Sequence, residues 1–506
     1  MLFTTRLIKL SLITMIFYGC SSTSDIPLPI TSSSSEAVDL YNKGWYHWGD
    51  HDGPKQSEYM KKALEIDSNL ILANLFVVEP DPNKRKKFRD RAIANKNNGS
   101  DAERLLVEMF VAGREGNAQE RVNLGKKLVE QYSNSAQAYM HLGDAHNDAL
   151  EFDEAAENYK KAVEIDPNNV ETWWRLASQH INVYNGQILL PEHKQDRALG
   201  LKYVDKMIDI RPDAAVGYQI RGNADRANSD FESAKKWYQQ ALDKRRAAGR
   251  VASGLLGVIA HNLVFNGEFE LAQQYYDEGI EEGDAGNTKF SVATFQIQSY
   301  LFNNDYTGAI RISNQFLNDM ENWNLSQVQL MNGKTGVELR KFLAYAHNQQ
   351  KEEAFESLAQ RKIYAKQAMG LMEVDEIRQR NYDATNARLE AWYHILFGDY
   401  SAAEKKLAEL YSIVSEIESP TALDEYSGLM GMVKLFGGDA RGALDQFSEN
   451  INTENYQYYS YFKAVALRAA GQEGAAAEIF EQIANYNFNG LGVSLVRTLA
   501  AEQLSS

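Results

Sequence analysis

Residues 139–167 read YMHLGDAHNDALEFDEAAENYKKAVEIDP, and this stretch decides how the chain folds. Leu142 and Gly143 follow Tyr139 at three and four residues, which places all three on one face of a helix. A second set with the same helical spacing follows after a polar turn: Phe152, Ala155, Tyr159 and Ala162. The stretch therefore predicts two helices joined by a short turn, and the proline at its end cannot continue the second one.

The same pattern begins again 34 residues later with Trp173, Leu176 and Ala177, and a third copy contains Tyr218 and Phe231. A fixed period of this length is typical of proteins that stack many copies of one small unit. The pattern closely resembles the tetratricopeptide repeat, a helix-turn-helix unit. The resemblance implies an array of antiparallel helix pairs, in which helix A of each pair lines the inner side of a superhelix and helix B lies outside.

The alanine near the start of helix B recurs in later repeats, beyond the region that carries the full signature. Two antiparallel helices approach closely only where small side chains meet, so each pair needs Gly or Ala at its crossing. An aromatic residue often stands three positions before this alanine, and a large apolar residue stands four positions after it. The predicted alanines are Ala155, Ala234, Ala272, Ala309, Ala354, Ala403, Ala443 and Ala475, and Ile479 is the apolar residue after the last of them.

We predict an all-α fold, a right-handed α-solenoid in which tetratricopeptide-like helix pairs stack without interruption. No part of the sequence shows the sustained alternation of a β-strand. The predicted divisions are residues 36–134 for divergent N-terminal pairs, 135–246 for well-matched repeats, 247–484 for divergent repeats and 485–506 for a C-terminal capping helix.

The N-terminus predicts export from the cytoplasm. Residues 1–19 combine two cations with a short apolar run, which is typical of a signal peptide. The sequence FYGCSS, with Gly19 directly before Cys20, resembles the lipobox of bacterial lipoproteins. The resemblance implies lipid attachment at Cys20, and Ser21 after it implies sorting to the outer membrane, with the body facing the periplasm or the cell surface. Residues 20–35 are rich in Ser, Thr and Pro and predict a flexible tether.

The composition points away from nucleic acid as a ligand. The 506 residues include 53 Lys and Arg against 69 Asp and Glu, which gives a formal net charge of −16 at pH 7. A surface with this charge repels a phosphate backbone, and the longest basic run extends only from Lys84 to Lys87. The single cysteine also excludes an intramolecular disulfide and a cysteine-based zinc site.

Two histidines near the N-terminus form the best candidate metal site. His47 and His51 are four residues apart with carboxylates beside them, a spacing that could hold a metal ion. We favour packing instead, because the position of His47 in its repeat also holds His146, His180 and His394 in later repeats.

Residues 332–335, Asn-Gly-Lys-Thr, match the second half of a phosphate-binding loop. Val328 replaces the first glycine of that motif and no buried strand precedes it, so we predict a linker between helices rather than a nucleotide site. The sequence contains no hydrolase motif and no dinucleotide-binding motif. We therefore predict a protein that is not an enzyme and that needs neither a cofactor nor a metal.

The resemblance also implies where a ligand binds. In the family, ligand contacts come from fixed positions of the A helices on the inner surface, which we call the concave groove. Amides and carboxylates there can pair with the backbone of an extended peptide, and tryptophans offer a large apolar contact. The corresponding positions are Met140, Asp144, Asn147, Trp174, Asn182, Gln219, Asn223, Arg226, His261, Gln298, Arg388 and Trp392.

These features predict a lipid-anchored scaffold that faces the periplasm and binds a protein or peptide in its concave groove, within an outer-membrane assembly or transport complex. Two alternatives stay open. Tryptophans in a groove also suit a carbohydrate or cell-wall ligand, and a repeat array can be attached to a metal-dependent hydrolase. The lack of any long segment without helical pairing argues against the hydrolase.

Overall fold

The computed structural model describes residues 25–182, 190, 192–283, 287–448 and 455–505. Within these ranges the chain forms 25 α-helices, three short 3-10 helices and no β-strand. The prediction of an all-α solenoid is confirmed. The predicted signal peptide and Cys20 lie outside the described residues.

Consecutive helices pack against each other along the chain, except the fourth and fifth α-helices, which both contact the short 3-10 helix between them, so that odd-numbered and even-numbered helices form successive A and B helices. Their bounds are α1 Ser35–Trp48, α2 Gly53–Ile66, α3 Ile71–Phe76, α4 Pro82–Asn95, α5 Asp101–Glu115, α6 Ala118–Gln131, α7 Ala136–Asp148, α8 Phe152–Ile165, α9 Val170–His180, α10 Arg197–Ile210, α11 Ala215–Ala227, α12 Phe231–Ala247, α13 Ser253–Phe265, α14 Phe269–Glu282, α15 Asn287–Phe302, α16 Tyr306–Asp319, α17 Gln327–His347, α18 Lys351–Gly370, α19 Glu376–Leu396, α20 Tyr400–Val414, α21 Asp424–Phe436, α22 Ala440–Ser448, α23 Tyr456–Ala469, α24 Glu473–Ala484 and α25 Leu491–Leu504.

The B helices begin where the sequence pattern predicts. The aromatic residue that stands three positions before the helix-B alanine is the first residue of α8, α12, α14, α16 and α20. An aspartate directly precedes three of these helices and accepts a hydrogen bond from a backbone N–H of the first turn: Asp230, Asp305 and Asp399. Such capping satisfies a donor that the helix itself cannot pair.

Small residues lie at the helix crossings. Seven of the eight predicted alanines are fully buried. Glycines of A helices lie equally close to the aromatic residue of the paired B helix. A Cβ atom at Gly222 would lie 2.5 Å from the Tyr238 ring, and one at Gly431 would lie 2.7 Å from the Phe447 ring. The crossings therefore need these small residues, as the sequence argument requires.

The predicted register of the last pair is wrong by one residue. Ala475 is exposed, whereas Ala476 is buried, and Phe480 rather than Ile479 fills the core. Residues 475–477 are all alanine, so the small-residue pattern fits either register. The register with Phe480 inside buries the larger apolar side chain.

We expect Ala234→Leu to destabilise the protein by about 1–3 kcal/mol, because three added heavy atoms have no space at a filled crossing. Ala234 is fully buried against Tyr238 and its neighbours. Ala247→Leu, at an exposed position of the same helix α12, serves as the matched control and is expected to change little. Equal melting temperatures for the two variants would contradict the assigned register.

Residues 332–335 do not form a linker, contrary to the prediction. They lie inside α17, which begins with a capping box between Ser326 and Gln329. A Cβ atom at Gly333 would lie 3.4 Å from the Phe290 ring, so this glycine serves helix packing. The cap starts the helix early enough to include the whole motif.

The predicted flexible tether is corrected for the part that the structure describes. Residues 25–34 run along the N-terminal helices instead of standing free. The Asp25 carboxylate accepts a hydrogen bond of 2.9 Å from the Ala136 backbone N–H, and the Leu28 side chain is only 2% exposed. Burial of Leu28 holds the segment against the body, although its composition is that of a linker.

The two halves of the superhelix meet. The Asn83 side chain on α4 donates a 2.8 Å hydrogen bond to the Leu371 carbonyl at the end of α18. Arg114 on α5 forms a 2.8 Å ion pair with Asp375, the residue that caps α19. These contacts join residues more than 250 positions apart in the sequence.

Helix α25 does more than cap the last pair. It packs against α23 and α24, as a terminal helix is expected to do, and it also packs against α15. Val493 is fully buried in the core of the central repeats, and the Thr498 hydroxyl donates a 2.6 Å hydrogen bond to the Phe302 carbonyl. The chain therefore folds its C-terminus back onto helices near its middle.

Candidate functional site

Residues 485–490, which we call the C-terminal segment, form an irregular stretch between α24 and α25 that lies on A helices of the central repeats. The Asn487 amide donates hydrogen bonds to the Arg226 carbonyl at 3.2 Å and to the Ser229 hydroxyl at 2.8 Å. The Arg226 guanidinium lies 4.7 Å from the centre of the Phe488 ring. A backbone carbonyl, a hydroxyl and a cation thus bind this segment together.

A histidine and an asparagine complete the contacts of the C-terminal segment. The Asn489 Nδ2 atom lies 2.6 Å from His261 Nε2 on α13, and the Asn182 side chain donates a hydrogen bond to the Tyr486 hydroxyl at 3.4 Å. Burial lowers the pKa of His261 well below its usual range, and the positive charge of Arg226 lowers it further. The imidazole is therefore neutral at pH 7 and can accept the hydrogen bond from Asn489.

A second segment covers the central repeats from the N-terminal side. Residues 46–52, which we call the N-terminal turn, comprise the end of α1 and the loop that leads into α2. The Asp50 carboxylate lies 2.5 Å from the Arg211 guanidinium, which also lies 3.7 Å from the centre of the Tyr46 ring. His51 contacts the Trp174 ring edge to face, with ring centres 5.2 Å apart. The N-terminal turn therefore contacts repeats that begin more than 100 residues later.

Arg175 is the centre of a buried ion-pair network beneath the N-terminal turn. Its guanidinium lies 2.5 Å from Asp144 and 2.7 Å from Glu171, and Glu171 lies 3.2 Å from His51 Nε2. Burial raises the pKa of the Glu171 carboxyl, but the charge of Arg175 and the hydrogen bond from His51 outweigh it and bring the pKa to about 2. Burial of Asp144 is likewise outweighed by Arg175, which lowers its pKa. Both carboxylates are ionised at pH 7.

The structure divides the predicted groove residues by exposure. Asp144, Asn147, Trp174, Asn182, Gln219 and Arg388 are partly exposed. Met140, Asn223, Arg226, His261, Gln298 and Trp392 are buried. The C-terminal segment brings three of the twelve together, Asn182, Arg226 and His261, and the N-terminal turn contacts Trp174 directly.

Other groove residues contact helices of the array. Met140 packs in a small core that includes Trp45 of α1. The remaining contacts join pairs of helices: Asn223 of α11 with Tyr238 of α12, Gln298 of α15 with Arg340 of α17, Arg388 of α19 with Glu425 of α21, and Trp392 of α19 with Tyr458 of α23.

The four histidines of the shared repeat position all lie at the end of an A helix. Nδ1 of three of them faces a carboxylate of the following turn, at 3.7 Å for His47, 2.5 Å for His146 and 3.6 Å for His394. Nδ1 of His180 accepts a hydrogen bond from the Asp196 backbone N–H at 3.2 Å. Across the described ranges, no three His, Cys, Asp or Glu side chains are grouped so that they could hold a metal ion.

Sequence reasoning missed the residues that hold the two segments. Arg175 and Arg211 fall outside the carried-over groove positions, and the C-terminal segment belonged to the predicted cap. One signal was available. Residues 485–490 read NYNFNG, and asparagine and glycine favour turns over helices, so the stretch is marked as irregular between two helical patterns.

We expect the free energy of unfolding to decrease as the pH falls from about 6.5 to about 4. The cause is His141, which is buried beside the Phe76 and Trp45 rings. Burial lowers the pKa of His141 to about 4, from an ordinary value of 6.5. Below pH 6.5 the unfolded chain binds a proton that the folded chain does not bind until about pH 4. This histidine therefore removes up to about 3 kcal/mol across that window.

The matched variant for this pH effect is His141→Phe, which keeps an aromatic ring between Phe76 and Trp45. Its melting temperature is expected to fall less between pH 7 and pH 5 than that of the wild type. Parallel pH profiles for the two proteins would contradict the assignment.

None of the helices in the described parts of the chain is long and apolar enough to cross a lipid bilayer.

A family model described as tetratricopeptide repeat matches residues 136–169. Among curated proteins, the chain is similar to mitochondrial import receptor subunit TOM70 of Mus musculus, at 22% identity over 29% of this chain and 23% of that protein. The TOM70 of Homo sapiens is 23% identical over 25% of this chain and 19% of that protein. The chain therefore spans less than a quarter of the length of these relatives.

Two solved structures are also similar to this chain. A tetratricopeptide repeat protein from Parabacteroides merdae is 14% identical with a TM-score of 0.32, and the match covers 57% of this chain and 98% of that one. A chain of the APC/C hetero-tetramer Cut9-Hcn1 is 14% identical with a TM-score of 0.29, and the match covers 93% and 91%. From the stacked helix pairs we conclude that this chain is an α-solenoid, and the family match identifies a tetratricopeptide repeat at residues 136–169.

Proposed function

We propose that this protein is a lipid-anchored scaffold that faces the periplasm and binds an extended peptide segment of a partner protein, within an outer-membrane assembly or transport complex. The observation that carries the proposal is how the A helices hold the irregular C-terminal segment. Helices α11 and α13 and the turn after α11 bind it through a backbone carbonyl, a hydroxyl, a neutral imidazole and a guanidinium over an aromatic ring. These groups would suit a peptide from another chain equally well.

The partner site we propose is the partly exposed part of the concave groove, formed by Asn147, Trp174 and Gln219. Asn223 and Arg226 are excluded from it because they are buried. Asn147 and Gln219 lie on α7 and α11, the A helices before and after the one that carries Trp174, so amide hydrogen bonds and a large apolar surface are available on successive repeats. Tryptophan is among the residues most often found as interface anchors.

The scaffold role is proposed without catalysis. Repeat solenoids bury their apolar faces between neighbouring pairs and present long surfaces, which suit recognition of other proteins. The chain's charge of −16 favours a partner segment with basic residues, because opposite potentials speed association and favour the correct partner.

Photocrosslinking tests the proposed surface. A photoreactive amino acid at Gln219 is expected to capture a specific partner in cells, whereas the same group at Trp237, on the B helix α12, is the control. With the captured partner in hand, Trp174→Ala is expected to weaken binding by about thirtyfold, equivalent to about 2 kcal/mol. Trp237→Ala is expected to bind like the wild type. Normal binding by Trp174→Ala, with loss of binding in Trp237→Ala, would place the functional surface on the B helices.

Replacement of Cys20 tests the lipid anchor. Cys20→Ala is expected to leave the body folded and to move the protein from the membrane fraction to the soluble fraction, or to leave the precursor unprocessed. Several acyl chains make membrane attachment stable, and their loss removes it. Normal processing with unchanged membrane association would refute the anchor while leaving the peptide-binding proposal standing.

A further inference from the structure

A cleft with an excess of positive charge lies where the two halves of the superhelix meet. It has a volume of about 310 Å³ and is bordered by α4, the end of α5 and the start of α19. Two carboxylates and five cationic residues line it. The cationic residues are Arg85, Lys86, Arg89, Arg114 and Arg378. This local excess is notable in a chain whose net charge is −16.

The two carboxylates of the cleft are already paired. Asp90 lies 2.6 Å from Lys86, and Asp375 lies 2.8 Å from Arg114. Asp375 also accepts a 2.8 Å hydrogen bond from the Arg378 backbone N–H as the cap of α19. Neither carboxylate can therefore neutralise the remaining cations, and within the described residues Arg85 and Arg89 form no ion pair.

Arg89 shows the electrostatic cost of this arrangement. Its guanidinium lies 5.0 Å from the centre of the Phe110 ring, which fixes it at the wall of the cleft, and its Nε is buried with no hydrogen-bond partner among the described residues. Burial lowers the pKa of the Arg89 guanidinium, and the charges of Arg85 and Arg114 lower it further. A half-buried cation beside like charges is stabilised by an anion that binds between them.

We propose that this cleft binds a small oxyanion ligand, one that carries phosphate or carboxylate groups, between Arg85, Arg89 and Arg114. Guanidinium groups match the geometry of both kinds of oxyanion and bind them with two parallel hydrogen bonds. The volume of the cleft is at the lower end of the range for small-molecule sites, which admits a ligand of a few heavy-atom groups. Because the walls come from α4, α5 and α19, the ligand would also join the two halves of the superhelix.

Isothermal titration of the full-length chain with sodium pyrophosphate, and separately with citrate, tests the proposal in physiological salt. We expect saturable binding of one anion per chain. Binding of pyrophosphate alone would assign a phosphate ligand, and binding of citrate alone would assign a carboxylate ligand. Arg89→Gln is expected to lower the affinity at least about tenfold, because it removes a charged hydrogen-bond donor.

The matched control is Arg246→Gln, which makes the same charge change at a guanidinium paired with Glu278 and Glu282 at 2.7 Å each. It is expected to bind the anion like the wild type. Arg85→Gln gives a second variant in the cleft if Arg89→Gln does not fold, as judged by circular dichroism. Absence of saturable binding by the wild type, or an equal loss in the cleft and control variants, would overturn the proposal.

Discussion

Replacing Arg175 by methionine is expected to lower the free energy of unfolding by about 3–5 kcal/mol, the usual cost of breaking a buried ion pair from one side. The variant leaves the buried Glu171 and the partly exposed Asp144 without their shared cation. Urea unfolding followed by circular dichroism measures the change. A midpoint equal to that of the wild type would show that water already solvates these carboxylates.

The matched control also removes the two carboxylate charges that Arg175 no longer neutralises. Arg175→Met combined with Asp144→Asn and Glu171→Gln is expected to recover much of the lost stability, because neutral amides are less costly to bury.

The same network makes the stability of the wild type depend on pH in the acid range. The pKa of Glu171 is lowered to about 2, so its contribution is complete above its ordinary value near 4.5 and is lost as the pH falls towards 2.

Replacing Trp392 by alanine is expected to cost about 3–5 kcal/mol, because it leaves a large cavity in the core of the C-terminal half. The indole is only 1% exposed, and its N–H donates a 3.1 Å hydrogen bond to the Tyr458 hydroxyl. The melting temperature measured by calorimetry reports the effect. Trp237→Ala removes the same side chain from a partly exposed position on α12, and we expect a much smaller decrease there.

This comparison also separates two roles for Trp392, which the resemblance places in the ligand groove. If Trp392→Ala melts like the wild type, its indole is not part of the core. A large decrease would fit its enclosed position beside Tyr458, where the ring centres are 4.9 Å apart.

The sequence was a good guide to contacts between neighbouring helices. Ala155, Ala234 and Ala403 were predicted from the need for small residues at crossings, and all three are fully buried. Such contacts recur at similar spacing in each repeat, so they leave a periodic signal in the chain. The signal fails where composition is uniform, as in the alanine run at residues 475–477.

Contacts between distant parts of the chain could not be predicted in this way. Arg211 meets the N-terminal turn across about 160 residues, and Asn487 meets Arg226 across 261. Each such contact occurs once and leaves no period to detect. The twelve predicted groove residues presuppose an open inner surface, but six of them are buried, because the C-terminal segment or other helices of the array cover them.

The meeting of α4 and α5 with α19 has a consequence for how the protein folds. An open repeat array has contacts only between neighbouring units, so folding can begin anywhere and spread along it. Here contacts across 261 and 288 residues close the array, and a long loop of chain must be ordered before they form. The mean sequence separation of contacts rises accordingly, and this slows folding. We therefore expect this array to fold more slowly than an open array of the same repeats.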